Sequence, residues 1–168
     1  MTKRELTTQR LKDSLADALL ALMQEKPFHK ITIDELTQRA QVGRVTYFRH
    51  FKTKEDILVY KYTRMWEQWA KQHGIANWRE SSQKLVRPFF QFHHHYRDIM
   101  RMIYQSGLLD VVTIASYQVL IDHRTQATVA QQYRARYLAS GCGGLLEAWV
   151  ENDFAQSVDE MVAICGVK

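Results

Sequence analysis

The sequence predicts an all-α protein. Only 7 glycines and 2 prolines interrupt its 168 residues. Apolar residues recur at helical spacing along most of the chain. Helix-start signals stand in front of several of those apolar stretches. Leu, Ala, Gln, Arg and Lys are common, and all are good helix formers. With 46% hydrophobic residues there is enough apolar material for a core.

Leu11, Leu15, Leu19, Leu22 and Met23 mark a first amphipathic helix over about 5–25, ended by Pro27. In "KITIDELTQRA", Thr32 and Glu35 form a capping box, with Ile31 and Leu36 placed as a hydrophobic staple. A short helix therefore starts at Thr32 and runs to about Ala40. A break at Gln41–Gly43 precedes a second short helix, Arg44–Phe51. Thr53 caps the next helix, with Asp56 in third position and Ile57 and Leu58 opening its apolar face. It runs to about Gln72, and Gly74 closes it.

Ser81 or Ser82 opens a helix that passes Pro88, placing this proline in the first turn or at a kink. "YRDIMRMIYQSG" is a further helix stopped by Gly107. "LLDVVTIASYQVLI" reads as a buried helix, although its β-branched residues leave a strand open. "TQATVAQQYRARYLASGCGGLLEAWVEND" is the longest helical pattern, and a Ser157–Glu160 capping box starts the last helix.

Several function classes find no support. The only cysteines, Cys142 and Cys165, do not make a disulfide framework, and the first ten residues have no apolar signal core. No apolar run approaches the ~20 residues of a membrane span. The expectation is a cytoplasmic protein with reduced thiols and no membrane contact. No activated nucleophile, phosphate-cradling glycine loop or Cys/His metal spacing is recognisable, so neither an enzyme nor a cofactor is expected. His93, His94 and His95, with Asp98 nearby, catch the eye as a metal site. Consecutive helical residues point about 100° apart, so the three cannot face one ion, and no metal is expected.

The positive constellation lies early. A short capped helix, a three-residue break and a second short helix make a helix-turn-helix. Arg44, Thr46, Tyr47, Arg49, His50, Lys52 and Lys54 put hydrogen-bond donors on or just beyond the second helix. From Leu36 to Lys54 there is no acid. The DNA major groove admits one such helix, and binding needs donors to phosphate and a few side chains at base edges. The net charge of +5 permits an anionic partner.

The stretch "KPFHKITIDELTQRAQVGRVTYFRHFKTKEDIL" resembles the N-terminal domain of TetR-type transcriptional regulators. The resemblance implies a homodimer with a DNA-binding domain at 1–52 and an effector-binding and dimerisation helical domain at 53–168. It implies phosphate contacts from Thr46, His50 and Lys54, and base or groove contacts from Arg44, Val45, Tyr47 and Arg49. Phe48 and Phe51 are expected to face inward. The sequence departs from the family pattern at three places. Phe48 stands where a tyrosine usually offers its hydroxyl to phosphate, and the hydroxyl has moved to Tyr47. Gln41 replaces the usual turn glycine, and Gly43 replaces a capping Ser.

In the second half, Trp66, Trp69, Trp78, Phe89, Phe90, Phe92, Met100, Met102 and Tyr104 fall on helical faces and read as core. The family encloses a ligand pocket with the same helices. The resemblance therefore implies that Trp66, Trp69, Phe89, Phe92, His94, Met102 and Tyr104 line a pocket for a small apolar or aromatic effector. Gly141, Gly143 and Gly144 imply either a helix break or close approach of a partner backbone. The ending "GGLLEAWVENDF…SVDEM" resembles the dimerisation helices of a short-chained, dihydroxyacetone-kinase-regulator-like branch of the family. It implies a four-helix bundle from about 126–152 and 157–165, with Tyr137, Gly141 and Gly144 at the crossing and Leu145, Leu146 and Trp149 near the interface. The function expected is a ligand-responsive repressor on a palindromic operator. The alternative is a regulator that binds DNA weakly and acts as a co-activator through a protein partner.

Overall fold

The structure, a computed structural model of the chain, describes residues 2–75, 85–121 and 127–165, and all regular structure in them is helical. The chain divides into two compact units, Met1–Tyr62 and Thr63–Lys168.

The first unit contains α1 (Lys3–Glu25), a 3-10 turn (Phe28–Lys30), α2 (Ile33–Ala40), α3 (Arg44–His50) and the start of α4 (Lys54–Gln72). A capping box opens α1 two residues earlier than the apolar pattern indicated. The Thr2 hydroxyl accepts from the Glu5 N–H, and the Glu5 carboxylate accepts from the Thr2 N–H at 2.8 Å. Its buried face is Leu15, Ala16, Ala18, Leu19, Leu22 and Met23. At α2 the expected box is present: Thr32 N–H donates to Glu35 at 2.9 Å and Glu35 N–H to the Thr32 hydroxyl at 3.2 Å. Ile31 and Leu36 are both buried, and α2 packs on α1 and α3.

Gln41 ends α2 in the left-handed conformation, at φ 54°. Glycine would adopt this freely; for glutamine it costs on the order of 1 kcal/mol. Gly43 starts α3 with no side-chain cap, as expected. Thr53 and Asp56 cap each other's backbone N–H at 3.0 and 3.2 Å to start α4, and Gly74 follows it at φ 64°.

The second unit contains the remainder of α4, then α5 (Val86–His95), α6 (Arg97–Gln105), α7 (Asp110–Leu120), α8 (Val129–Glu151) and α9 (Val158–Ile164). Trp78 and the helix start expected at Ser81 or Ser82 lie outside the described residues. Pro88 is in the first turn of α5, where a missing N–H costs no helical hydrogen bond. Gly107 terminates α6 at φ 68°. The "LLDVVTIASYQVLI" segment is helical, so the strand alternative falls.

α8 runs unbroken through its three glycines, which removes the helix-break reading. One of them has a reason inside the unit: a Cβ on Gly143 would stand 2.4 Å from the Thr113 hydroxyl of α7. A Cβ on Gly141 or Gly144 would meet nothing within 4 Å among the described residues. The core includes Phe90, Phe92, Met100, Val112, Ala115 and Leu146. Trp149 belongs to it too, which corrects its assignment to a dimer interface. Its indole N–H donates to the Gln156 carbonyl at 3.0 Å, and its ring packs against Phe90 and Phe154. Leu146 is likewise fully buried, whereas Leu145 is half-exposed. A contact between Arg87 and Asp159 ties α5 to α9. No described helix is long and apolar enough to cross a membrane.

Candidate nucleic-acid interface

Helix α3 is held by its inner face. Tyr47 is 1% exposed and Phe51 is buried behind it, with their rings 6.4 Å apart. Phe51 also packs edge-on against Tyr60, and the Lys12 ammonium lies over both rings at 5.9 and 5.4 Å. Burial is the first cause of a raised Tyr47 pKa, followed by the charges of Asp56 and Glu55. The expectation that Tyr47 reads the groove while Phe48 faces inward is therefore corrected. Tyr47 lies on the same side of the helix as Phe51 and fills the core; Phe48 is 55% exposed.

The outer face is Arg44, Val45, Phe48 and Arg49, all exposed, with Thr46 and His50 half-buried along one flank. Going round the helix at about 100° per residue, the order is Arg44, Phe48, Val45, Arg49. Two arginines thus bracket two apolar side chains. Asp34 of α2 ion-pairs with Arg44 at 2.8 Å and restricts where its guanidinium points. Both groups are well exposed, so the pair adds little to stability. Nothing in the sequence spacing announced this pairing. The pKa of His50 is lowered, first by burial and then by Lys12 and Arg49. Lys52 is exposed just past the helix.

Lys54 is placed differently from the expectation of a DNA-backbone contact. Its ammonium donates to the carbonyls of Phe28 and Ile31, each at 2.7 Å, and sits 4.4 Å from the centre of the Phe28 ring. Two of its three donors are thus used to tie the start of α4 to the α1–α2 connection. Burial lowers its pKa.

In the second unit, four of the residues expected to line a pocket come together. Trp66 and Trp69 lie 5.7 Å apart, and Phe92 meets both edge-on at 5.2 and 5.8 Å. Phe89 joins them through His93, 4.0 Å away. The Trp66 indole N–H is buried and finds no acceptor among the described residues. His93, named from sequence only as one of three consecutive histidines and not among the expected pocket residues, is fully buried, and its Nδ1 is 2.7 Å from the Phe89 carbonyl. Burial pushes its pKa down to about 3, so the ring is neutral. Its spacing of four from Phe89 was the available signal. The other three expected residues lie elsewhere. His94 stacks on Trp149 at 5.9 Å, the Tyr104 hydroxyl donates to Glu151 at 3.0 Å, and Met102 is half-exposed on α6. Among the described residues, no three His, Cys, Asp or Glu side chains are grouped to hold a metal.

A three-helix head with a short helix presenting donors outward defines a helix-turn-helix DNA-binding transcription regulator. The family described as "Bacterial regulatory proteins, tetR family" matches residues 15–60, and "Transcriptional regulator C-terminal region" matches residues 76–166. The chain belongs to the TetR family of transcriptional regulators. The HTH-type dhaKLM operon transcriptional activator DhaS of Lactococcus lactis is 30% identical over 56 residues, which are 33% of this chain and 28% of that protein. Only about a quarter of that curated relative's length is therefore matched. Among solved structures, the fatty acid degradation regulator FadR of Bacillus halodurans aligns with a TM-score of 0.47 at 15% identity, covering 91% of each chain. FadR of Bacillus subtilis in complex with stearoyl-CoA aligns with a TM-score of 0.45 at 14% identity, covering 90% of this chain and 96% of that one.

Proposed function

We propose that this regulator is a ligand-responsive repressor that binds a palindromic operator as a homodimer. The observation that carries the reading is the outer face of α3, where Arg44, Val45, Phe48 and Arg49 are exposed on a helix held rigidly from behind. Arg44 and Arg49 suit guanine O6 and N7. Thr46, His50 and Lys52 suit phosphate. Lys54 serves by fixing the α1–α2 connection, which sets the angle of the head's helices.

The α8 face supports the homodimer. Val129, Tyr133 and Tyr137 are exposed, and Gly141 and Gly144 continue the same stripe with no described residue within 4 Å of where a Cβ would stand. Helix-interior glycine costs about 0.5–1 kcal/mol relative to alanine, a cost that close approach of a second α8 would offset. Tyr137→Arg is expected to yield a monomer by sedimentation while the helical content stays unchanged. A variant that still sediments as a dimer would rule out this face. For the effector, the Trp66–Trp69–Phe89–Phe92 group suits an apolar or aromatic molecule, with the Trp66 N–H as one polar anchor.

The deciding experiment is a mobility-shift titration with DNA from upstream of the gene, across a salt series. Binding should be sequence-selective and should weaken steeply as salt rises, because neutralised phosphates release counterions. The absence of a selective shift with any such fragment would refute the operator-binding reading.

One observation favours a second reading. Position 48 offers an exposed ring and no hydroxyl for phosphate. A regulator acting chiefly through another protein, as an activator, would tolerate that loss. Weak DNA affinity together with a stoichiometric non-identical partner would favour it.

A further inference from the structure

We propose that Val45 and Phe48 form a reader for the 5-methyl group of a pyrimidine in the operator. The inference rests on α3 entering the major groove. Val45 is 72% exposed and Phe48 is 55% exposed, and they stand three residues apart on one face of α3. The head does not need them for its core, which Tyr47 and Phe51 already fill on the buried side of the helix. Tyr47 meets Phe48 edge-on with ring centres 5.0 Å apart, and the Phe48 ring stays 55% exposed.

The chemistry of the groove narrows what this pair can contact. Phosphate and most base-edge atoms are polar, and neither a valine nor a phenylalanine offers them a hydrogen bond. The thymine methyl is the apolar group that B-DNA displays in the major groove, and apolar side chains contact it there. 5-Methylcytosine carries a methyl at the same ring carbon. The pair is flanked on both sides by guanidinium groups, and Arg44 is tethered by Asp34 at 2.8 Å. A half-site that satisfies the whole face has a thymine beside guanines. The same face makes binding sensitive to methylation of cytosine at the thymine position.

The test begins with the full-length protein and a pool of random duplexes. The enriched duplex becomes the probe. It is rebuilt with deoxyuridine for thymidine, one position at a time, which deletes only the methyl group. Affinity should fall about fourfold at one thymine in each half-site, the weight of roughly one buried methyl group. If that T·A pair is replaced by C·G, methylating the cytosine should recover part of the loss. Phe48→Ser should bind thymine and uracil probes equally, whereas Phe48→Tyr, which keeps the ring, should retain the difference. Equal binding of thymine and uracil probes at every position would overturn the proposal, as would a Phe48→Ser variant that keeps the methyl preference. A pool that yields no enriched sequence would refute operator binding itself, a separate outcome. Loss of a stoichiometric protein partner in Phe48→Ser, with DNA preference unchanged, would instead assign the face to protein contact.

Discussion

Positions 47 and 48 decide what the first unit keeps and what it displays. Tyr47 is packed behind α3 and Phe48 stands in front of it. Tyr47→Ala should therefore cost about 3 kcal/mol in urea unfolding, in the range of large aromatic truncations in cores. Phe48→Ala should change stability by no more than about 0.5 kcal/mol, as exposed substitutions do. Equal costs would contradict the placement of both rings. The donors of this stretch were legible in the sequence because composition reveals them directly. The direction of each ring was less so, since two adjacent aromatics look alike in a motif. The i, i+4 relation of Tyr47 to Phe51 held the answer, against the usual order of residues in the family. Lys54 was misplaced for another reason: its partners, the carbonyls of Phe28 and Ile31, are backbone atoms that no side-chain pattern reveals.

Helix starts were the most legible elements, because a capping box is made within four residues. Thr32–Glu35 and Ser157–Glu160 are present as read. Glu35 also receives the Lys26 ammonium, the largest cause of a pKa held down at about 2, followed by its bonds to Thr32. A depressed carboxyl stabilises the fold at pH values above its unfolded pKa and ceases to as pH falls through the folded one. The contribution is thus complete above about 4.5 and lost between there and about 2. Glu35→Gln should flatten the stability profile in that window and nowhere else, as read by denaturant midpoints at successive pH values. Helix-to-helix contacts were less legible. Trp149 takes its neighbours from α5 and from the chain after α8, and no local pattern encodes Phe90 as its partner. Gly143 is similar, since Thr113 lies on a different helix. Gly143→Ala should destabilise the protein by about 1–3 kcal/mol through overpacking against Thr113. Gly141→Ala, with no described residue within 4 Å of the added Cβ, should leave the monomer as stable or slightly more so.

At the scale of the molecule, acid should unfold the second unit through His93. The buried ring stays neutral down to about pH 3, whereas an exposed histidine takes up its proton near 6.5. Between those values the unfolded chain binds more protons than the folded one, so stability rises with pH across the interval. The slope from this one group reaches about 1.4 kcal/mol per pH unit. His93→Phe, similar in shape and without a proton to gain, should reduce that slope; an unchanged slope would show that other groups set it. The all-α class was legible from composition and spacing, while His93 was hidden among three neighbouring histidines that only packing distinguishes. The placement of the tryptophans has a practical consequence. Trp66, Trp69, Trp78 and Trp149 all belong to the stretch beyond Tyr62, and the DNA-binding head has none. Indole emission therefore reports on the second unit alone, and the head is dark at that wavelength. Comparing an emission trace in urea with the far-ultraviolet helical signal separates the melting of the two units without any label.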